Sequence, residues 1–347
     1  MGEGIWALCV VLLAVATLGA QVTYGDVPTE VQKKINSINQ NGTYLGVVIP
    51  NAFELNPLLQ SPSYSPDKGM PYVDFAGRRF RFGSLEGKKV ILVMTGLGMI
   101  NAATTTQLLL GLFKVEGVVQ YGIAGNANPS FIIGDVVIPR FWAHSALWSW
   151  QRYGDGPKNE LPFENTGDYT RKYGFLKFAD YTSNGKNLIP DADNLLNNVW
   201  YQPEEIFPVD GIPEERQHVF WVPVDPRYFA IAKKLVGLKL KGCVNSTLCL
   251  TRTPNVARVT RGMSASIFLD NASYRDFLFS KFKFTPVDME SASVALVCHQ
   301  QRIPFIIIRG LSDLAGGGSD ESNEADTFVS LAAENTITAV VEFIKRL

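Results

Sequence analysis

Residues 302–313 read RIPFIIIRGLSD, an apolar run of aromatic and β-branched side chains that ends in Gly, Ser and Asp. Three earlier stretches have the same character: LGVVIP at 45–50, KVILVMTGLG at 89–98 and GVVQYGIAG at 117–125. Continuous apolar runs of this kind are typical of strands that are buried on both faces of a sheet. The four stretches therefore predict the core strands of one largely parallel or mixed sheet.

Helical patterns lie beside these strands, at 100–113 and 291–301, and an amphipathic stretch at 334–347 closes the chain. Strands that alternate with helices predict an α/β fold in which helices flank a central mixed β-sheet. The 347 residues are 46% hydrophobic, which is enough apolar material for a full core and excludes disorder for most of the chain. We expect a single domain over residues 26–347.

The composition excludes several kinds of partner. With 32 Lys and Arg against 33 Asp and Glu, the net charge is −1, so the chain lacks the broad cationic field of a DNA- or RNA-binding protein. Its 4 Cys and 3 His show no metal-ligand spacing, and we predict no metal site.

The N-terminal segment has the pattern of a leader. An uncharged apolar run, IWALCVVLLAVATLGA, covers residues 5–20 and predicts a signal peptide over residues 1–25, cut after residue 20 or 25. An uncleaved membrane anchor is the alternative, although the run is short for a bilayer core and lacks flanking basic residues. With the leader removed we expect no membrane span and an extracellular, apoplastic or vacuolar address.

A chain in the secretory pathway can carry glycans and disulfides. Three Asn-X-Ser/Thr triplets are formal glycosylation sequons, at Asn41, Asn245 and Asn271. Cys243 and Cys249 flank a polar turn and are the one credible disulfide in an oxidising compartment.

A stretch at about 145–215 interrupts the alternation of strands and helices and is rich in aromatic, polar, Pro and Gly residues. We interpret it as a long insertion. Its packing residues are predicted to be Trp148, Trp150, Tyr153, Trp200 and Tyr201. An aromatic surface of this kind favours docking or oligomer contacts over a base-stacking platform, and we expect a homo-oligomer.

Candidate catalytic residues follow the predicted strands, at the edge where open α/β sheets gather their ligands. Glu54 comes just after the first strand, Glu290 lies in VDMESA, and Asp313 ends the strand quoted first. A carboxyl group beside apolar residues is a candidate for a perturbed acid. Each also has an ordinary interpretation, because Glu54 would suit the solvated first turn of a helix and Asp313 would cap a loop.

A strand-to-helix turn at 95–101, TGLGMIN, has glycines that let backbone N–H groups approach an anion or a polarised oxygen. It resembles half of a dinucleotide-binding fingerprint. Asn101 occupies the position of the third glycine, and no acidic residue follows at the spacing needed for the ribose. NAD binding is therefore disfavoured.

In order along the chain, GVVIPNAFE, TGLGMINAATT, GIAG, IGDVVIP, VDMESA and RGLSD resemble the signature segments of the purine nucleoside phosphorylase and methylthioadenosine nucleosidase superfamily, over roughly residues 45–345. The IGDVVIP run, the aromatic insertion and the leader make the chain most similar to plant bark and vegetative storage proteins and their nucleoside-phosphorylase-like relatives. The resemblance implies a layered phosphorylase/hydrolase-type fold. It also implies cleavage of the N-glycosidic bond of a purine-type nucleoside.

The resemblance implies catalytic roles for three residues. Cleavage passes through an oxocarbenium-like state, so the leaving purine must be protonated and a nucleophile must be activated. Asp313 would donate the proton to purine N7, with Ser312 orienting it. Glu54 would activate the attacking water, aided by Arg309.

The resemblance also implies substrate contacts. Glu290 would accept hydrogen bonds from the ribose hydroxyls while Met289 packs on the sugar face. Phe268 would stack on the purine, and core packing is the alternative for this residue.

The first strand's loop favours water over phosphate as the nucleophile. Phosphorylases of the bacterial hexameric type carry a GDPGR-like loop there and an Arg and a Ser further on, because a dianion needs charge-assisted donors. Here the loop reads IPNAFE, and Gln120 and Ile123 stand at the other two positions. Phosphate remains the alternative co-substrate, and no other cofactor is expected. Its ligands would be the N–H groups of Gly96 and Gly98 with Thr95 and Arg309.

Two other functional classes compete with an enzyme. One is a nitrogen-storage glycoprotein that keeps the fold with little activity, and the other is a sugar- or hormone-binding module without turnover. Three acids facing one cleft favour an enzyme, because a storage role gives no physical reason to retain them.

Overall fold

The computed structural model describes residues 27–149, 175–177, 198–208, 210–317 and 324–347. The predicted leader lies outside these residues, as does most of the aromatic insertion, including Trp150 and Tyr153.

The described residues form seven α-helices and sixteen strands. The helices are α1 Thr29–Gln40, α2 Ala52–Leu59, α3 Met99–Leu112, α4 Pro226–Ala232, α5 Ala272–Phe282, α6 Ser291–Gln300 and α7 Glu324–Ile344. The strands are β1 Tyr44–Ile49, β2 Tyr64–Pro66, β3 Tyr72–Phe75, β4 Arg78–Leu85, β5 Lys88–Met94, β6 Val115–Asn126, β7 Val136–His144, β8 Trp148–Ser149, β9 Phe175–Lys177, β10 Asn198–Tyr201, β11 Glu204–Ile206, β12 Gln217–Val219, β13 Val222–Pro223, β14 Val256–Ser264, β15 Pro286–Asp288 and β16 Phe305–Leu314.

Eleven of these strands form one mixed sheet. Its centre is parallel: β1 pairs with β5 and with β6, and β16 pairs with β6. Antiparallel pairs extend it on both sides, β4 on β5 and β7 on β16. The four strands predicted from the sequence are these four central parallel strands, and the predicted mixed sheet flanked by helices is confirmed.

Both faces of the sheet are covered by apolar clusters. Val47 packs in the cluster that contains Phe343 of α7, whereas its neighbour Val48 packs in the opposite cluster with Leu109 of α3. Neighbouring residues of a strand point to opposite faces, so burial of both faces requires an unbroken apolar run. The closing helix begins at Glu324 rather than at residue 334, because an earlier turn already buries apolar residues such as Phe328.

The ends of the aromatic insertion join a third cluster. Tyr201 is buried, with its ring centroid 5.1 Å from that of Phe282 and 6.4 Å from that of Trp148. Tyr201 and Trp148 therefore anchor the insertion on the body of the domain through edge-to-face aromatic contacts.

Cys243 and Cys249 form the predicted disulfide, with their sulfur atoms 2.02 Å apart. Cys298 is a free thiol buried in α6. Among the helices that the structure describes, none combines the length and the apolar character needed to cross a bilayer.

Candidate active site

A cavity of about 170 Å³ opens at the carboxyl ends of the central strands. Its wall contains the three predicted acids, Glu54, Glu290 and Asp313, which are widely separated in the sequence. The cavity also contains three more predicted site residues, namely Met289, Phe268 and Ser312. No three His, Cys, Asp or Glu side chains are grouped as metal ligands in the part of the chain that the structure describes.

Glu54 lies in the first turn of α2 but is not solvated there. It is only 2% exposed, and its backbone N–H and side chain form a capping box with Asn51. The backbone N–H of Ile123 donates to Glu54 Oε1 at 2.7 Å. Burial raises the pKa of Glu54 to about 7, although the nearby Arg309 guanidinium and the backbone donors oppose this shift. A carboxyl group that titrates near neutral pH is suited to general-base catalysis.

Glu290 stands at the N-terminus of α6 and is also buried. The backbone N–H of Gly98 donates to Glu290 Oε1 at 2.9 Å, which ties the glycine turn before α3 to the acid. Burial raises the pKa of Glu290, and the charge of Asp288 adds to the effect. This carboxyl group faces the cavity with acceptor capacity for a polar ligand.

Asp313 follows a bulge near the end of β16, at the point where the pairing register with β6 shifts. The bulge turns consecutive residues, Ser312 and Asp313, toward the same cavity. The hydroxyl of Ser312 donates to Asp313 Oδ1 at 2.6 Å. Burial raises the pKa of Asp313, as expected for a carboxyl group that must keep a proton before donating it.

Arg309 lies behind these acids and does not line the cavity. Its guanidinium is fully buried, with Nε 2.7 Å from Asp288 Oδ2 and Nη2 3.8 Å from Glu290 Oε2. It also donates to the hydroxyl of Ser291, at 2.8 Å from Nη2. Arg309 is therefore the buried cation that balances a group of carboxylates beside the cavity.

Asp288 is a component of the site to which sequence reasoning gave no role. Besides the ion pair with Arg309, its carboxylate accepts from the hydroxyl of Ser264 at 2.5 Å and from the backbone N–H groups of Glu290 and Ser291. Its position two residues before Glu290, at the end of β15 and three residues before the start of α6, was the available signal. Asp288 fixes the backbone from which Glu290 projects.

The central strand β6 carries a glycine, Gly122, beside this network, and the space around it excludes a side chain. A Cβ at this position would lie 2.2 Å from Arg309 Nη1 and 2.4 Å from Glu54 Oε1. The same geometry shows that the arginine and the catalytic candidate flank one point of β6. Any larger residue would have to displace one of them.

Thr95 and Gly96 are not part of this cavity. They line a neighbouring cleft together with Arg78, Arg79 and Arg81. The N–H of Gly96 donates to the carbonyl of Pro50 at 2.8 Å, and the Thr95 hydroxyl donates to the carbonyl of Gly96 at 2.7 Å. Donors that the sequence offered to a phosphate are therefore already used within the protein.

Phe268 stands at the rim of the cavity and is 78% exposed, so it is not a core residue. Leu97, 65% exposed, lines the same cavity. The enclosed volume is below the roughly 300 Å³ at which small-molecule pockets begin. A nucleoside would therefore extend beyond the enclosed part, past these two side chains.

A buried arginine that the sequence did not highlight holds the loop after Asp313. Arg275 of α5 donates from Nη1 to the carbonyl oxygens of Ala315 at 3.0 Å and Gly317 at 2.6 Å. Gly316 packs so closely on the start of α5 that a Cβ would lie 2.4 Å from the backbone of Asn271. The described part of the glycine loop is thus held in place.

The statistical model of the family described as "Phosphorylase superfamily" matches residues 44–345. The chain belongs to the phosphorylase superfamily. Among superfamily relatives, the chain is 32% identical to bark storage protein A of Populus deltoides over 305 residues, which cover 87% of this chain and 88% of that protein. It is 29% identical to a 5′-methylthioadenosine/S-adenosylhomocysteine nucleosidase of Bacillus thuringiensis, over 78% of this chain and 87% of the nucleosidase.

Solved structures share the fold. Futalosine hydrolase of Helicobacter pylori matches with a TM-score of 0.58 and 18% identity, over 89% of this chain and 100% of that one. The 5′-methylthioadenosine/S-adenosylhomocysteine nucleosidase of the same species, in complex with butyl-thio-DADMe-Immucillin-A, matches with a TM-score of 0.58 and 17% identity, over 88% of this chain and 99% of that one. The sheet and helices described above are therefore the phosphorylase-type α/β fold.

Proposed function

We propose that this protein hydrolyses the N-glycosidic bond of a purine-type nucleoside. The observation that carries the proposal is the convergence of Glu54, Glu290 and Asp313 on one cavity. Relatives named as nucleosidases belong to the same superfamily, which supports this class of reaction.

In the proposed mechanism Asp313 is the acid. Its neutral form donates a proton to N7 of the purine as the bond to the anomeric carbon lengthens, so the base leaves without a negative charge. The raised pKa keeps this proton on the carboxyl group, and the Ser312 hydroxyl holds Oδ1 so that the other oxygen faces the ligand.

Glu54 is the general base. It removes a proton from a water that attacks the anomeric carbon, while Arg309 limits the cost of a charged carboxylate in a buried site. Glu290 accepts hydrogen bonds from the ribose hydroxyls, Met289 packs on the sugar and Phe268 stacks on the base.

The donor inventory favours water over phosphate as the nucleophile. The N–H of Gly96 and the hydroxyl of Thr95 already donate to backbone carbonyl groups. The N–H of Gly98 donates to Glu290, and Arg309 is paired with Asp288. Ile123 can offer only its backbone N–H, and this group already donates a hydrogen bond to Glu54. A phosphate dianion needs free charge-assisted donors, and these groups are already used.

The test is release of free base from adenosine, inosine, methylthioadenosine and N6-isopentenyladenosine, each with and without phosphate. Hydrolysis predicts base and free ribose or its derivative at a rate that does not depend on phosphate. Strict phosphate dependence with a sugar 1-phosphate product would replace water by phosphate. No turnover with any of the four would remove the enzyme proposal.

The second candidate is a nitrogen-storage glycoprotein, supported by the 32% identity to bark storage protein A. It predicts a catalytically silent protein even though the cavity is intact. The assay above separates the two, because a storage role alone predicts no base release.

We also propose that the protein enters the secretory pathway and assembles as a homo-oligomer. The exposed sequon residues Asn41, Asn245 and Asn271 and the Cys243–Cys249 disulfide support the first part. If the full chain is expressed in a eukaryotic secretory host, we expect the mass of the secreted protein to decrease on glycosidase treatment. Sedimentation of the secreted protein tests the assembly.

A further inference from the structure

Another cleft, of about 680 Å³, lies far from the acids. Phe305, the first residue of β16, lines it, whereas Asp313 near the other end of the same strand lines the acid cavity. Eight residues of strand separate the two positions, which is about 26 Å at 3.3 Å per residue. The cleft is therefore a separate feature of the molecule, and its volume is within the range of small-molecule pockets.

Two arginines on one face of the sheet supply the charge of this cleft. Arg258 of β14 pairs in register with Ile138 of β7, two residues before Arg140, so both arginines project from the same face of neighbouring parallel strands. Both are exposed, and neither forms an ion pair with any carboxylate among the described residues. Within the described ranges, two positive charges in one cleft are thus left without a charged partner.

Aromatic rings hold these guanidinium groups in position. Arg258 lies over Phe229 with Cζ 4.7 Å from the ring centroid and donates to the carbonyl of Phe229. Arg140 lies over Phe141, with Cζ 5.2 Å from that centroid. Stacking of this kind limits the motion of a guanidinium and leaves its outer N–H groups available to an anion.

The remaining charges of the cleft are largely committed to other contacts. Asp225 caps α4, accepting from the N–H groups of Arg227 and Tyr228. Arg302 pairs with Asp210 at 2.7 Å, with both side chains about half exposed or more, and such a pair contributes little and exchanges partners easily. Arg302 is therefore a third cation that can turn to a bound anion.

Apolar side chains form much of the rest of the wall, including Phe229, Ile303 and Phe305. An anion that also carries a flat apolar body would match both parts of this surface. From this arrangement we infer that the cleft is a second ligand site, for an organic phosphate with an aromatic or similarly flat body. The site is independent of the proposed hydrolysis.

Isothermal titration of the full-length protein with phenyl phosphate tests the site, with inorganic phosphate and phenol as the two partial probes. One phenyl phosphate is expected to bind per chain, more tightly than either partial probe. The double variant Arg140→Gln, Arg258→Gln should weaken binding at least about tenfold, the loss expected when a charge-assisted hydrogen bond is removed.

Lys234→Gln is the matched control, because Lys234 is an exposed cation just after α4 that does not line the cleft and forms no ion pair with a described residue. It should bind phenyl phosphate like the parent protein. Thermal unfolding of each variant should match the parent, which separates lost binding from lost folding. Equal affinity in the double variant, absence of binding in the parent, or equal binding of inorganic phosphate alone would each overturn the inference.

Discussion

Asp313 illustrates how much of a catalytic role depends on one side chain's surroundings. As a residue type it is an ordinary acid, and it becomes a proton donor here because burial favours its neutral form. The Ser312 hydroxyl opposes that shift, so burial must be the larger effect for the proposed role.

Asp313→Asn should remove the proton donor while keeping a similar shape and an acceptor for Ser312. We expect base release to fall by about 10²–10⁴, the usual contribution of general acid–base catalysis, with little change in the melting temperature. Steady-state assays and calorimetry on the purified variant measure both. Asp74→Asn, which only breaks an exposed pair with Arg79, is the control and should keep full activity. Normal turnover in the Asp313 variant would contradict its role as the acid.

Glu54→Gln should have opposite effects on activity and stability. We expect turnover to fall by about 10²–10⁴ because the general base is lost. At pH 8 the same variant should be more stable than the parent, by up to about 3 kcal/mol, because a carboxyl group with a pKa near 7 is forced to ionise in a buried site. Denaturant unfolding at pH 8 and at pH 4.5 checks this, since the difference should nearly vanish at the lower pH. A variant that is less stable at pH 8 would contradict the raised pKa.

Asp288→Asn tests the role of the network behind the cavity. The asparagine keeps an acceptor for the backbone of Glu290 and removes one negative charge, so the pKa of Glu290 should fall. Ionised Glu290 is the better acceptor for the ribose hydroxyls, so the part of the acid limb of the pH profile of kcat/KM that reports Glu290 should move to lower pH. A purely structural role for Asp288 would lower activity at every pH without moving the limb. Asp74→Asn, whose exposed pair with Arg79 is remote from this network, should leave the profile unchanged.

At the scale of elements, the site depends on how strands and helices end. The capping box of α2 brings Glu54 back over the sheet, and the bulge of β16 turns Asp313 toward the same opening. Gly98 is the N-cap of α3, and its N–H donates to Glu290 instead of to a ligand. Four element ends therefore meet here. Three follow β1, β5 and β16, which run parallel in the sheet, and the fourth follows β15, which pairs antiparallel with the end of β6.

Gly122 and Gly111 provide a matched pair of substitutions in two elements. Gly122→Ala in β6 should destabilise the protein by about 1–3 kcal/mol, because the new methyl group overlaps Arg309 and Glu54, and activity should be lost with it. Gly111→Ala in α3 meets no atom within 4 Å and should stabilise by about 0.5–1 kcal/mol. Chemical denaturation of both variants measures the difference. Tolerance of alanine at position 122 would contradict the packing described for the site.

At the scale of the whole molecule, three buried carboxyl groups with raised pKa values make stability depend on pH. Each of them binds its proton more tightly in the folded state than in the unfolded state. Their contribution is therefore fully present below their unfolded pKa, near 4, and is lost as pH rises through the folded values, about 7 for Glu54.

The free energy of unfolding should consequently decline between about pH 4.5 and pH 8 through these groups. Part of this decline should disappear in Glu54→Gln. Denaturant titrations across this pH range, on parent and variant, measure the contribution as the difference between the two curves. Parallel curves would show that Glu54 ionises with an ordinary pKa.

The amino-acid sequence alone determined the class of the fold and the position of its central strands. Runs such as 305–308 are apolar at every residue, as a strand buried on both faces requires, and Gly and helical patterns mark where these strands end. The ordered motifs then led to the superfamily and to the three acids.

Only the tertiary structure decided which of the candidate residues share one cavity. Thr95 and Gly96 have the same local signals as residues that line it, yet their donors are bound within the protein. Asp288 and Arg275 show no local pattern that predicts their contacts with Arg309 and with the loop at 315–317. Burial, hydrogen-bond partners and pKa depend on groups distant in the chain, so they are set only when the sheet brings those groups together.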